Sequence, residues 1–230
     1  MSRGYLPAHL LASTPCNDCP SDTESLAQSS CAAASTTQHS VVLSSGRFVF
    51  NLPLLSTGAL SGMAWAFNLK YLSNSQSGGL LGPGFNYASN LHLEEVGGGI
   101  DLWTGDFTTE RFEEVAPGVY APAADNNSQA MLRMTGSGAS ERFVLTSNRG
   151  VVTIFYGFDG AIDTPGRVES ITDRFGNEQS YDWIRTGTVD QLASVTDAYG
   201  RTVEYRYYGS EEGFLLREIE DFLGRKLNFQ

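Results

Sequence analysis

From Val168 onward, apolar and turn-forming residues recur in one fixed pattern. Val168, Ile171, Asp173, Gly176 and Tyr181 are followed by Leu192, Val195, Asp197, Gly200 and Tyr205. Leu216, Ile219, Asp221, Gly224 and Phe229 come next, each set 24 residues after the last. A fixed period of this size marks a repeat architecture. Asp-x-x-Gly places Asp at the first position of a type I turn, where its side chain accepts a hydrogen bond from the turn itself. Gly at the fourth position adopts positive φ without Cβ strain. The motif therefore predicts a hairpin closed by a glycine bulge at Asp173/Gly176, Asp197/Gly200 and Asp221/Gly224. β-Branched or leucine residues before each turn and an aromatic five residues after each Gly supply the two strands. Two short strands and two turns fill one copy. Tyr181, Tyr205 and Phe229 are expected on one pleat face, as an internal aromatic ladder.

The same theme extends upstream. Leu145, Ser147, Gly150 and Phe155 match Ile171, Asp173, Gly176 and Tyr181 at an offset of 26, so 142–156 reads as a degenerate copy. Val41-Val42-Leu43, Ser44-Ser45-Gly46 and Arg47–Phe50 read as strand, turn, strand. From Ala64 to Leu72 the residues alternate, with Trp65, Phe67, Leu69 and Tyr71 on one side and Ala66, Asn68 and Lys70 on the other. Gly78–Phe85 predicts an irregular loop, Asn86 to Leu93 a strand, and Leu91–Glu94 with Ile100–Trp103 a pair around Gly97-Gly98-Gly99. Residues 113–130 predict a longer polar loop. No segment carries helix periodicity with caps. The fold class is therefore all-β, an antiparallel β-hairpin repeat strip. A parallel β-helix with similar coil length is the competing architecture, and the tight Asp-x-x-Gly reversal favours hairpins. The chain divides into a flexible Cys/Ser/Thr-rich leader (1–39), an N-terminal β region (40–141) and hairpin repeats (142–230), regular from 166.

Charge and composition narrow the function. Net charge is −11, and Lys70 and Lys226 are the two lysines of the chain. No basic stripe exists to neutralise phosphates, which argues against nucleic-acid binding. Cys16, Cys19, Cys31 and His39 are weak metal candidates. Cys16-x-x-Cys19 suits one edge of a zinc site, but the separation of Cys31 from His39 exceeds the usual second pair. The first ten residues lack an apolar core of signal-peptide type, and no stretch predicts a membrane span. The Gly-rich loop at 78–84 lacks the following helix and lysine of a phosphate cradle. His92 is a lone strand histidine. Asp173, Asp197 and Asp221 recur in identical surroundings, unlike a catalytic carboxylate pair, whose environments differ. No nucleophile–base constellation is visible, so neither enzyme chemistry nor a cofactor is expected.

These motifs resemble the RHS/YD-repeat family. Tyr181-Asp182 matches the tyrosine–aspartate pair of its repeats, beside the Asp-x-x-Gly turn. Leu43-Ser-Ser-Gly-Arg-Phe48, Tyr71-Leu-Ser-Asn74 and Gly79-Leu-Leu-Gly-Pro-Gly-Phe85 resemble, in order, its lead-in motifs, and the resemblance covers roughly 40–230. It implies a β-strip that coils into a shell in large secreted or cell-surface proteins, often around a C-terminal toxin. Some relatives serve adhesion or bind carbohydrate. The departures are the absent proline–aspartate core motif, Phe229 in place of Tyr, and Tyr207-Tyr208 in place of Tyr-Asp. The expected role is a non-catalytic structural module, with a carbohydrate-binding or adhesion module using surface aromatics as the alternative. The strand ending at Phe229 is expected to offer an open edge to further repeats of this or another chain.

Overall fold

The structure, a computed structural model, describes residue 41 and residues 46–58, 63–75, 78–124 and 128–230. The leader, with Cys16, Cys19, Cys31 and His39, lies outside the described residues.

The hairpin-forming pattern yields an all-β, antiparallel fold. Thirteen strands follow one another in chain order as a single meandering sheet. They are β6 (His92–Val96), β7 (Gly99–Trp103), β8 (Thr109–Ala116), β9 (Val119–Pro122), β10 (Met131–Thr135), β11 (Arg142–Thr146) and β12 (Val152–Tyr156). β13 (Val168–Thr172), β14 (Glu178–Thr186), β15 (Val189–Thr196), β16 (Thr202–Tyr207), β17 (Leu216–Glu220) and β18 (Lys226–Asn228) complete it. The sheet runs unbroken across the 141/142 junction, because β10 and β11 pair there from Met131↔Thr146 to Thr135↔Arg142. Antiparallel pairing through the repeats excludes the parallel β-helix.

A second, three-stranded sheet is formed by β1 (Val49–Ser56), β2 (Ala66–Leu72) and β5 (Phe85–Tyr87), with β2 central. The glycine-rich stretch between β2 and β5 forms a two-residue ladder, β3 (Gly78–Gly79) with β4 (Gly82–Pro83). Two expectations are corrected upstream of the repeats. The run Asn86 to Leu93 is not one strand. β5 stops at Tyr87, a turn follows with Asn90 N donating to Tyr87 O, and β6 starts at His92 in the other sheet. Residues 113–122 are not loop: Glu113 and Glu114 pair with Ala121 and Tyr120 about a turn at Pro117-Gly118. Their exposed, charged side chains gave that hairpin the composition of a loop.

Sheet twist brings the strip back on itself. Leu93 N donates to Gly166 O (2.8 Å), and His92 bridges Arg167 in antiparallel sense. Tyr156 N donates to Arg167 O, which ties the same segment to β12. Strands β6 to β13 thus close into one turn of a coil. Leu93, Ile100, Leu102, Phe112, Leu132, Phe143, Phe155 and Val168 are buried within one hydrophobic core. Eight strands enclose about the width that side chains can fill. Beyond the closure, β14–β18 lay their buried face against the small sheet. Trp65 meets Tyr205 edge-on at 6.4 Å and Phe67 meets Phe229 at 5.8 Å. Both faces are apolar at alternate positions, as sheet-on-sheet packing requires.

Candidate functional site

The repeat turns come first, because their chemistry recurs. Gly176, Gly200 and Gly224 adopt φ of 84°, 74° and 74°, and each donates its N–H to the turn aspartate's carbonyl. Asp197 Oδ1 accepts from Tyr199 N and Arg201 N (2.9 and 3.0 Å), and Oδ2 accepts from Arg201 Nε at 2.6 Å. Asp221 repeats this with Leu223 N, Arg225 N and Arg225 Nε. Asp173 does so with Phe175 N, Asn177 N and Asn177 Nδ2. The Asn177 amide and backbone donors hold the Asp173 carboxyl below its ordinary range. Burial pushes Asp197 and Asp221 upward, but the hydrogen bonds from Arg201 and Arg225 and from the turn N–H groups outweigh it, so both also lie below that range. All three carboxylates are committed to the turn.

The residue after Gly200 and after Gly224 does a second job. Arg201 donates to Gly58 O at 3.1 Å and Arg225 to Ser56 O at 2.8 Å. The two guanidiniums therefore fasten the chain leaving β1 onto the repeat turns. Another pair recurs two residues beyond the Tyr position. Trp183 Nε1 donates to Val168 O (2.7 Å), and Tyr207 OH donates to Leu192 O (2.9 Å). Donors and acceptors are each 24 residues apart, and both rings follow a bulge, at Asp182/Trp183 and Arg206/Tyr207. Bulges re-aim side chains, and here they turn a ring back over its own repeat.

The aromatic ladder is corrected. Tyr181 and Tyr205 are buried and Phe229 half-buried in the common core. Their strands alternate with aliphatic ones, so the cross-strand partners are Val195 for Tyr181 and Ile219 for Tyr205. Tyr205 and Phe229 make their ring contacts with Trp65 and Phe67 of the lead-in, and Trp65 Nε1 donates to Tyr205 OH at 3.1 Å. A strand spacing of one intervening β-strand separates the three rings, which a period counted along the sequence does not reveal.

A concavity lies where β5–β7 meet the start of β13 and the β14–β15 hairpin. Its volume is about 770 Å³, and its wall includes Asn86, His92, Trp103, Arg167, Trp183 and Asp190. His92 stacks on Trp103 with planes 8° apart. Burial and the nearby Arg167 guanidinium, partly opposed by Asp190, push the His92 pKa down to about 3, so its imidazole is neutral. Asp190, nearly buried, accepts from Arg167 Nε (3.1 Å) and Arg185 Nε (2.7 Å). Arg167 also lies over the Trp183 ring at 5.3 Å. Asn86 Oδ1 accepts from Tyr87 N and Asn90 Nδ2, and its Nδ2 donates to Thr104 O. His92 Nδ1 and Trp103 Nε1 are buried without a hydrogen-bond partner in the protein. Among the described residues no group of three or more His, Cys, Asp or Glu is placed to hold a metal ion, and no helix is long and apolar enough to cross a membrane.

The fold has a solved counterpart. It is similar to the N-terminal domain of effector protein SpvB from Salmonella typhimurium strain LT2, with a TM-score of 0.50 and 13% sequence identity. The likeness covers 74% of this chain and 86% of that one. No family model matches the sequence, and no curated protein matches it. At this identity the SpvB domain is a counterpart in fold alone.

Sequence reasoning located the turns and missed the rest of this chemistry. Arg201 and Arg225 stand one residue after Gly200 and Gly224, and Trp183 and Tyr207 share the period. Both signals were present in the repeat register. Nothing in the register marked the cavity, whose wall joins residues within 85–109 to residues within 167–190. His92, read as a lone histidine, sits in that wall.

Proposed function

We propose that this chain is a non-catalytic structural module: a coiled β-strip of RHS/YD type that carries and orders further hairpins. The observation that supports this reading best is the meander itself. Thirteen strands follow chain order, the turns repeat at a fixed period, and among the described residues β18 pairs only with β17. A strip of this kind grows by adding hairpins to its free edge, since each unit contacts chiefly its neighbours. The turn aspartates support a structural role because every one is consumed by backbone and side-chain donors. Tyr181 and Tyr205 do not serve as a surface platform for sugars, since both are buried. The closed turn β6–β13 has a core filled with side chains. Any enclosure of a cargo would therefore belong to the continuing strip and not to this turn. As in the resembling family, the module would be displayed at a cell surface or secreted.

The test is extension. A copy of residues 207–230 appended after Gln230 adds one more repeat to the edge. In a strip, the added unit gains native protection from proteolysis and raises the melting temperature, because stability sums over units and interfaces. An appended unit that is cleaved readily and leaves melting unchanged would show that β18 does not template a further hairpin.

A further inference from the structure

The turns that close the repeats are held by their aspartates and glycines, and their tips take no part in that work. We propose that the row of tips is a docking surface for a proline-rich polypeptide segment in the polyproline II conformation.

The turns at 147–150, 173–176, 197–200 and 221–224 each join an odd-numbered strand to the next one, so all of them stand at one edge of the strip. In the regular copies the third turn residue is Phe175, Tyr199 or Leu223, and these are 72%, 46% and 66% exposed. Each donates its N–H to Oδ1 of its own turn aspartate. One backbone geometry therefore presents all three apolar side chains in the same way. Phe222, also exposed, joins them. Scattered single apolar residues need no explanation, but a contiguous exposed set marks an interaction surface. The tips are also tied to one another. The Arg201 guanidinium lies over the Tyr199 ring at 5.2 Å and over the Phe222 ring of the next tip at 4.9 Å, and Arg174 lies over the Phe175 ring at 4.6 Å. Rings held in place in this way lose little freedom when a partner arrives.

The spacing selects the occupant. Successive tips are two strands apart, about 9.4–9.8 Å. A polyproline II chain completes its three-residue turn in about 9.3 Å, so every third side chain meets the next tip. Over the two intervals from Phe175 to Leu223 the mismatch stays at or below about 1 Å. Two turns of an α-helix rise about 10.8 Å, which puts a helix out of step by about 2–3 Å over the same distance. A β-strand returns to one face every 6.6–6.8 Å or so and loses step at the first interval. Sheet twist rotates each tip against the last, and a polyproline II chain, with no internal hydrogen bonds to break, bends with the row. Proline rings are stiff apolar groups, and aromatic surfaces take them at small entropic cost. Charge excludes a basic segment. The charged side chains at the second and third turn positions are Arg149 and Arg174, and the aspartates are engaged within their turns. This surface runs across the strands and is separate from the free strand edge at β18.

The test uses the whole chain and labelled peptides of twelve residues, with binding read by fluorescence polarisation. One peptide is all proline. The second carries glutamine at its third, sixth and ninth positions, which lie on a single face of the polyproline II helix. The third carries glutamine at its second, sixth and tenth positions, which fall on all three faces. The second peptide should bind like the first, because it can turn another face to the row. The third should bind about tenfold more weakly, the loss of roughly one ring contact. A glycine–serine peptide of the same length, which lacks the conformation, should not bind. Phe175→Ala and Tyr199→Ala should each weaken binding of the all-proline peptide about tenfold, with melting retained because both rings are exposed. Val115→Ala, at an exposed residue beside the β8–β9 turn of the opposite edge, should leave it unchanged. Amide shifts in wild type give an answer without substitution: those of Phe175, Tyr199 and Leu223 should move on adding the all-proline peptide. The proposal is overturned if that peptide fails to bind at millimolar concentration, or if the glycine–serine peptide binds as well. Equal binding of the second and third peptides overturns it too, as do folded tip variants that bind like wild type or shifts confined to β18.

Discussion

Closure of the strip depends on one glycine, and this can be weighed against a repeat glycine of similar conformation. Gly166 and Gly200 have φ of 72° and 74°. Placing an L side chain in that region costs about 1–2 kcal/mol at either position. Their surroundings differ. A Cβ on Gly200 meets nothing within 4 Å, whereas one on Gly166 lies 2.2 Å from Leu93 O. That oxygen belongs to the backbone and cannot swing aside. Gly166→Ala must therefore push β6 away and break the Leu93 N–Gly166 O hydrogen bond of 2.8 Å. Leaving that buried pair unmade adds about 1–3 kcal/mol. The difference between the two substitutions isolates the closing contact at about 2 kcal/mol, or about 4–8 °C in melting temperature for a chain of this size. Differential scanning calorimetry on Gly166→Ala and Gly200→Ala measures it. Amide exchange at Leu93 should accelerate in the first variant and not in the second. Equal melting losses, or an unchanged Leu93 amide, would refute the view that β6 closes tightly against Gly166.

Two further outcomes follow from the turn carboxylates. Asp197→Ala removes three hydrogen bonds, one of them to the Arg201 guanidinium that also reaches Gly58; a stability loss of about 2–3 kcal/mol is expected in denaturant titration, and a loss within error would count against the turn as a stabilising unit. Asp173, Asp197 and Asp221, with Glu218 and Glu220 paired to Arg206, all have folded pKa values below their ordinary ones. Their stabilisation is complete above the unfolded carboxylate range, about pH 4, and disappears as pH falls through the folded values. Melting temperature should stay level from neutrality to about pH 5 and then fall, and the gap between wild type and Asp197→Ala should narrow as it does; a gap that widens in acid has the wrong sign.

The sequence made some of this legible and hid the rest for identifiable reasons. Turn chemistry is local, so Asp197 and Gly200 announce their hairpin through neighbours within four residues. The antiparallel sense followed from the tightness of that reversal. Register across strands is not local. Tyr181, Tyr205 and Phe229 share a period, yet an aliphatic strand stands between each pair of their strands, so a ladder along the sequence is not one across the sheet. The 113–122 hairpin was hidden because its outward residues are glutamates and its apolar contribution is small. The cavity was hidden most completely. Its polar groups come from segments related only by the coil's closure at Gly166–Arg167, and no spacing in the chain records that meeting.

The bonds from Arg201 to Gly58 and from Arg225 to Ser56 span 143 and 169 residues of chain. Most of the meander forms from neighbours and can assemble as it leaves the ribosome. The lead-in hairpin cannot. Its buried face finds Tyr205 and Phe229 only after the whole intervening meander has been synthesised. Long-range contacts of this kind are slow to form, because the intervening loop must be closed before they stabilise anything. Until then Trp65 and Phe67 remain exposed, and a nascent chain carrying them is open to aggregation. The arginines that follow the turn glycines therefore act late, as latches on a strip otherwise built in order.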